Sequence, residues 1–183
     1  MSLIPAVLLK VLVLICLIVA IPACDNAALQ HLNQGDQYIK QGLIEQAIVE
    51  YDKAINVDPV LSSSHIAKLD EKYRLLLASG YQEQALAAMT KGESGTARDA
   101  FTRAIELNPD LAEAYCYRAI NDLESGAPYW GGATWDEVFA DCNRAIELKP
   151  GYAKAYDARG FANYKVGNSD QCIADYSKSI ELD

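Results

Sequence analysis

The sequence predicts an all-α fold, an α–α superhelix of about four helix pairs with one inserted helix. The main observation is a phrase that occurs four times, at residues 51–59, 101–109, 142–150 and 176–183. Its small residue recurs at intervals of 50, 41 and 34 residues, at Ala54, Ala104, Ala145 and Ser179. Self-similarity at such a period is typical of a repeat protein rather than of one globular core.

Helix-ending residues and small residues support the same fold. Glycine favours the left-handed conformation that ends many helices, and proline ends a helix before a turn. Small residues let two antiparallel helices approach closely. The helix-ending glycines are Gly42, Gly126 and Gly167, the prolines are Pro59, Pro109 and Pro150, and the small seam residues include Gly35, Ala47 and Ala54.

The order of these markers resembles the tetratricopeptide repeat. The first unit carries Gly35, Tyr38, Gly42, Ala47, Tyr51, Ala54 and Pro59, and the last carries Tyr156, Gly160, Gly167, Cys172, Tyr176 and Ser179. The resemblance implies a solenoid of tetratricopeptide repeats over residues 24–183. Its units are expected at about 28–61, 78–111, 112–152 and 153–183.

Residues 62–78 do not fit the repeat and predict an inserted helix. A run of three serines precedes the apolar and charged residues of this segment, and the next first helix is expected from Tyr81 to Lys91. Gly80 could separate the two helices, or one longer helix could run through it. A third interpretation gives residues 80–85 to a degenerate unit of their own.

A loop of about seven residues, 127–133, separates the two helices of the third unit. It carries Tyr129 and Trp130, and Thr134 with Glu137 after it has the form of a capping box. Because Tyr and Trp are enriched at binding hot spots, the pair is a candidate partner contact. The alternative is that both rings fold back over the helix pair, since bare aromatic rings on a surface are unfavourable.

The fourth unit stops at Asp183, one residue before the proline that ends the other phrases. A solenoid usually needs a terminal helix with a polar outer face. Without one, Ile173, Tyr176 and Ile180 are expected to be partly exposed. We expect the chain to continue in a longer protein; the alternative is that another chain covers this end.

The amino terminus predicts export. Residues 1–23 form a predicted signal peptide, with one basic residue, Lys10, and an apolar run that is short for a membrane span. The residues before Cys24 resemble the processing box of bacterial lipoproteins, which implies lipidation of Cys24 and a membrane-anchored protein of the bacterial envelope, facing the periplasm or the exterior. An uncleaved anchor over most of residues 2–23 and ordinary secretion remain alternatives.

Net charge limits the kinds of ligand this chain can bind, and the cysteine pattern limits its disulfides and metal sites. The formal net charge of −9 opposes direct binding to nucleic acid or to an anionic lipid surface. Beyond the amino terminus, Cys142 and Cys172 occupy slots that predict small buried residues, and a disulfide between Cys116 and Cys142 is an alternative. No Cys-x-x-Cys pair occurs, so we predict neither a metal nor another cofactor.

The sequence predicts no enzyme. His31 and His65, the only two histidines, are far apart and are interpreted as solvated residues. Residues 92–95 lack the pattern of a nucleophile elbow or a phosphate loop and predict a turn. The many carboxylates are expected on solvated helix faces.

The resemblance implies that the first helix of each unit lines a concave, partner-binding groove. The groove slots are Ile39, Lys40, Gln82, Leu86, Met89, Ile120, Leu123, Asp157, Phe161, Tyr164 and Lys165. Repeats that clamp a chaperone's terminal carboxylate need Lys, Asn and Arg at such slots, which this chain replaces by apolar residues and Asp. The apolar stripe suits a helix or an extended peptide; the alternative is that part of it is ordinary core.

Two functions follow from this. The first is a membrane-tethered protein–protein interaction scaffold or adaptor that binds a peptide or helix in its groove, in the manner of repeat lipoproteins of envelope complexes. The second is the interaction domain of a larger enzyme or transporter component that continues beyond residue 183. The gene sequence past that residue distinguishes them.

Overall fold

The structure, a computed structural model, describes residues 27–126, 128 and 132–183. The predicted signal peptide, Cys24, Tyr129 and Trp130 lie outside these residues. All regular structure in the described part is α-helical, as predicted. The helices are α1 (27–40), α2 (Ile44–Val57), α3 (Pro59–Ile66), α4 (Glu71–Thr90), α5 (Ser94–Leu107), α6 (Ala112–Ser125), α7 (Trp135–Leu148), α8 (Ala153–Val166) and α9 (Ser169–Leu182).

The chain divides into two compact units at the junction between Arg74 and Leu75. In the first unit, α1 approaches α2 so closely that a Cβ atom at Gly35 would lie 2.8 Å from Cε1 of the buried Tyr51. The Tyr51 hydroxyl donates to Asp36 at 2.8 Å, and Nε2 of His65 lies 3.0 Å from the same carboxylate. Three helices, α1, α2 and α3, therefore meet at Asp36.

In the second unit, helices that are consecutive from α5 to α9 pack against each other, and α6 also contacts α8. The core between α6, α7 and α8 consists mainly of small residues, which permit the close approach. One cluster holds Ala119, Val138, Cys142, Ala158 and Ala162, and a second holds Cys116, Ala145 and Ala155.

The helix ends follow the sequence. Gly42, Gly126 and Gly167 have φ angles of 77°, 70° and 82°, so the prediction of left-handed helix ends is confirmed. The capping box is also confirmed: the backbone N–H of Glu137 donates to the Thr134 hydroxyl at 3.2 Å, and the Thr134 N–H donates to the Glu137 carboxylate at 2.7 Å. These local signals fix where α7 begins.

The prediction of one inserted helix over 62–78 is wrong. The structure has the short α3 and then the long α4, which continues through Gly80. The alternative of a longer helix through this glycine is confirmed. Asp58 starts α3 ahead of the serine run, because its carboxylate accepts from the Leu61 N–H at 2.9 Å and Pro59 needs no hydrogen-bond partner in the first turn.

Among the described residues, no helix is both long enough and apolar enough to cross a membrane.

Candidate functional site

The predicted groove slots of the second unit lie on α4, α6 and α8, and they differ in exposure. Gln82, Leu86, Met89, Ile120, Leu123 and Phe161 are half-buried, while Asp157, Tyr164 and Lys165 are exposed. Each of the three helices thus carries an apolar pair three residues apart, at the same position in its unit. Side chains with this spacing share one face of a helix.

The two slots of the first unit behave differently from each other. Lys40 is exposed, but Ile39 has only 1% of its surface exposed. Ile39 is therefore buried in this structure rather than open on a groove surface. The candidate surface is confined here to the second unit.

The apolar part of this surface is best defined on α6 and α8, which contact each other. Ile120 and Leu123 pack with one side against the core cluster that contains Ala158 and Ala162. On α8, Phe161 is half-buried and Tyr164 has 64% of its surface exposed. We call the row Ile120, Leu123, Phe161 and Tyr164 the α6–α8 strip.

Charged residues stand at the edges of the α6–α8 strip. The ammonium of Lys165 lies 4.9 Å from the centroid of the Phe161 ring. Lys154 donates to the Tyr117 hydroxyl at 2.9 Å and its ammonium lies 4.7 Å from that ring's centroid. Cations at these distances from aromatic faces are held by the ring quadrupole. The strip is therefore an apolar row with charged residues beside it.

Buried ion pairs fix the helices that carry the strip. Arg118 donates to both oxygens of Asp141 at 2.8 and 2.7 Å, and Arg159 does the same to Asp175 at 3.0 and 2.7 Å. Hydrogen bonding to Asp175 raises the pKa of Arg159. These bidentate pairs join α6 to α7 and α8 to α9 at a fixed register.

Sequence reasoning missed these pairs. The prediction that the carboxylates lie on solvated faces is wrong for Glu50, Asp122, Asp141 and Asp175, all of which are buried. A signal was present, because Arg118 and Arg159 occupy one position of their units and Asp141 and Asp175 another. When a charged residue recurs at one repeat position and a residue of opposite charge recurs at a second position, the two positions indicate a structural ion pair.

Asp122 is the most perturbed of the buried carboxylates. It pairs with Arg98 of α5, which also reaches Glu137 of α7 at 3.4 Å. Burial raises the pKa of Asp122 to about 6, although Arg98 acts in the opposite direction. One arginine thus connects the end of α6 with the first turn of α7.

The expectation that His31 and His65 are solvated is wrong, since both are half-buried and paired. Nδ1 of His31 lies 2.6 Å from Glu50, and His65 contacts Asp36 as described above. Hydrogen bonds from Lys53 and then from His31 lower the pKa of Glu50, against the effect of its burial. Both histidines connect helices within the first unit.

The three cysteines of the described residues are buried free thiols, which confirms the prediction for Cys142 and Cys172. The structure shows no disulfide between Cys116 and Cys142, and burial raises the pKa of the Cys116 thiol to about 11. A thiol protonated at neutral pH is a poor nucleophile and metal ligand. Within the described ranges, no group of three or more His, Cys, Asp or Glu residues could hold a metal ion.

Comparison with known proteins supports the repeats. A family model for the tetratricopeptide repeat matches residues 31–60 and 78–111. Heat shock protein STI1 of Saccharomyces cerevisiae is 28% identical over 109 residues, which are 59% of this chain and 17% of that protein. RNA polymerase II-associated protein 3 of Xenopus laevis is 33% identical over 101 residues, 55% of this chain and 15% of that protein. The chain thus matches a small part of each relative.

Solved structures show the same architecture. The TPR domain of Arabidopsis OM64 is 25% identical, with a TM-score of 0.55 over 60% of this chain and 85% of that domain. The second TPR of Spaghetti (RPAP3), bound to an HSP90 peptide, is 22% identical, with a TM-score of 0.55 over 62% of this chain and 97% of its own. The prediction of an all-α tetratricopeptide fold is confirmed. The matches support a protein–protein interaction module, and no family of enzymes is indicated.

Proposed function

We propose that this tetratricopeptide-repeat chain is a membrane-tethered adaptor that binds a helical or extended segment of another protein. The binding surface is the α6–α8 strip, extended by Leu86 and Met89 of α4. The tether is a lipid on Cys24 or an uncleaved amino-terminal anchor. The protein would act in assembling complexes at a bacterial envelope membrane.

The exposure of Tyr164 carries the proposal. Tyr164 has 64% of its surface exposed and lies three residues after the half-buried Phe161 on the same face of α8, so it offers a large amphipathic side chain to a partner. Tyrosine is enriched at binding hot spots, and an apolar row with a charged rim is the composition of a protein-binding surface. Amphipathic helices bind such rows through residues at spacings of three and four.

The charged rim indicates what kind of segment fits. Lys154 and Lys165 are exposed on α8, and so are Asp157 and, on α6, Glu124. Both signs of charge favour an amphipathic segment of mixed charge over a uniformly acidic one. A chaperone's terminal carboxylate is not proposed as the ligand, because the slots where the resemblance requires Lys, Asn and Arg for it hold Leu86, Ile120 and Phe161 here.

A photo-crosslinking experiment tests the groove. A photoreactive amino acid at position 164 should crosslink a discrete set of partner bands in envelope extract, and the Leu86→Glu/Phe161→Glu double variant should lose them. The matched control is the same probe at Val60, an exposed residue of the first unit, together with a Val49→Glu variant. Equal crosslinking in wild type and the double variant would reject the groove.

Fractionation tests the tether. The Cys24→Ser variant should lack the lipid and appear in the soluble fraction, whereas wild type stays with the membrane, because each buried methylene adds about 0.8 kcal/mol of attachment. Normal membrane fractionation of the variant argues against a lipid on Cys24. If deletion of residues 2–23 then releases the protein, the uncleaved anchor is the tether.

A further inference from the structure

Two lysines beside the α6–α8 strip differ from the other basic residues around them, because no carboxylate pairs with them. The described part of residues 112–183 contains seven basic residues, and five of these pair with a carboxylate: Arg118, Arg144, Lys149, Arg159 and Lys178. The other two, Lys154 and Lys165, are both exposed on α8. Their ammonium groups lie over aromatic rings, as described above, and can still bind a carboxylate of another molecule.

The equivalent positions of α6 carry the opposite charge. Residues of α6 and α8 correspond at an offset of 41, which aligns the starts of the two helices, so Glu113 corresponds to Lys154 and Glu124 to Lys165. Glu124 is exposed and has no basic partner among the described residues, whereas Glu113 is half-buried and accepts from Lys149 at 2.8 Å. On each helix the two charged residues are eleven positions apart, which is three turns or about 16 Å, and they share one face.

The two helices run in the same direction along the strip. Cys116 belongs to the cluster of Ala155, and Ala119, one turn further along α6, belongs to the cluster of Ala162. The strip therefore has an acidic side along α6 and a basic side along α8. Asp157, the only acidic residue of α8, is closer in sequence to the start of the helix, so the basic side is strongest near its end.

We infer that the α6–α8 strip binds an amphipathic α-helix of a partner protein, with basic residues bordering its apolar face over α6 and acidic residues bordering it over α8. This inference rests on the proposed function, because it concerns the same surface. The apolar face packs on Ile120, Leu123 and Phe161, and the two charged rows meet Glu124 and Lys165. Reversing a helix exchanges its two flanks, so these charges also select the direction in which the partner helix lies.

A helix fits this pattern better than an extended segment does. The charges repeat three turns apart along both helices, so a segment that follows the strip meets opposite charge on its two sides over its whole length. An amphipathic helix has an apolar stripe with a charged row on each side, as in coiled coils. Side chains of an extended segment alternate between two faces, and only one row of them points into the groove.

The amino-terminal segment and the loop of the third unit do not supply such a helix. Residues 1–26 contain only two charged residues, Lys10 and Asp25, and residues 127–133 contain none. Neither segment can border an apolar stripe with one basic and one acidic row. Charge complementarity therefore points to another polypeptide as the occupant.

Fluorescence anisotropy with designed peptides tests the inference on the full chain. Each labelled, helix-stabilised peptide has about three heptads and the same leucine row. Its flanks are one basic and one acidic, both acidic, or both basic. Wild type should bind the mixed peptide about fivefold more tightly than either uniform peptide, because a uniform peptide places one flank beside like charge. The preference should fade at high salt, since exposed charges are screened.

Charge variants of the protein should exchange this preference. Lys165→Glu makes the end of the strip acidic on both sides and should prefer the peptide with two basic flanks. Glu124→Lys makes it basic on both sides and should prefer the peptide with two acidic flanks. Both positions are exposed, so the variants should fold normally, as circular dichroism would verify. Asp99→Lys, an exposed position of α5, is the matched control and should keep the wild-type preference.

The direction of binding is tested with the mixed peptide and an isomer whose two flanks are exchanged. A nitroxide on the amino terminus of each peptide should broaden amide NMR signals at opposite ends of α6 in the two complexes. Broadening at the same end by both peptides would show that the charges do not orient the helix, and would overturn that part of the inference.

Three further results would overturn the inference: no binding of the mixed peptide by wild type, equal affinity for all three peptides, or an unchanged preference in Lys165→Glu. Equally tight binding of a proline-containing mixed peptide would identify an extended segment as the occupant. A dimer in analytical ultracentrifugation that Lys165→Glu dissociates, without peptide binding, would identify a second copy. Crosslinking at Tyr164 that Leu86→Glu/Phe161→Glu abolishes would still support the proposed function after any of these results, so the two can fail separately.

Discussion

Replacing Gly35 by alanine tests the close approach of α1 to α2 in the first unit. An added Cβ would lie 2.8 Å from Cε1 and 3.0 Å from Cδ1 of Tyr51, closer than the 3.5–4.0 Å at which carbon atoms attract each other. The ring has little freedom to move, because it is fully buried and its hydroxyl donates to Asp36 at 2.8 Å. Either the two helices separate or the hydrogen bond breaks.

The size of the effect follows from two opposing contributions. Overpacking of a core costs about 1–3 kcal/mol, whereas alanine in place of glycine inside a helix stabilises by about 0.5–1 kcal/mol. We therefore expect Gly35→Ala to lower the free energy of unfolding by about 1–2 kcal/mol.

Two other glycines provide matched controls. A Cβ at Gly160 would lie 3.2 Å from Cδ1 of the half-buried Tyr176 and 3.3 Å from Cβ of the buried Asp175, a milder crowding than at Gly35. The helix gain of alanine should roughly offset it, so Gly160→Ala should be close to neutral. Gly95 in α5 has no atom within 4 Å of its added Cβ, so Gly95→Ala should stabilise slightly.

Urea denaturation followed by circular dichroism at 222 nm measures this series. We expect Gly95→Ala to have the highest free energy of unfolding and Gly35→Ala the lowest. Wild type and Gly160→Ala should be about equal and lie between them. Should Gly35→Ala prove as stable as Gly95→Ala, the close approach of α1 to Tyr51 would be refuted.

Three further predictions concern the polar contacts of the second unit. Asp175→Ala leaves Arg159 and Asn163 without their carboxylate and should cost about 3–5 kcal/mol of unfolding free energy, measured by urea denaturation; a loss below about 1 kcal/mol would show that the pair is not buried. Because the folded pKa of Asp122 is raised to about 6 from 3.8, the folded state holds this proton more tightly than the unfolded state, and stability should fall as pH rises from about 4 to 6. Asp122→Asn should remove up to about 3 kcal/mol of this pH dependence of stability, measured by thermal unfolding across the same pH range. An unchanged pH profile would show that Asp122 is not the group responsible. Thr134→Ala should lower the thermal unfolding midpoint through loss of about 1 kcal/mol of capping energy, whereas Thr134→Ser should restore it; equal midpoints for both variants would exclude a role for the hydroxyl.

Elements whose signals are local could be predicted from the sequence alone. Gly126 and Gly167 end their helices, and Thr134 with Glu137 starts α7, because backbone conformation and capping depend on residues three or four positions apart. Where two local signals competed, the sequence did not decide between them: Asp58 and Pro59 start a helix ahead of the serine run, which was not predicted, and the helix through Gly80 was only one of the open interpretations. Glycine inside a helix costs only about 1 kcal/mol, which the rest of a long helix offsets.

The candidate site could be predicted only in part. The repeat period placed Leu123, Phe161 and Tyr164 at their slots, but the same slot pattern gave Ile39, which is buried. The position of a residue in the repeat determines which face of its helix the side chain occupies. It does not determine which other element packs against that face. That depends on neighbouring elements.

By itself, the sequence determined the helix pairs, their ends and the repeat period, since these arise from interactions over a few residues. Only the tertiary structure decided which charges are buried and which apolar residues remain uncovered. Arg118 meets Asp141 across 23 residues, and the exposure of Ile180, unlike that of its repeat equivalent Ile146, depends on whether a further helix covers it. Burial is a property of the assembled neighbours, so identical phrases can have different surroundings.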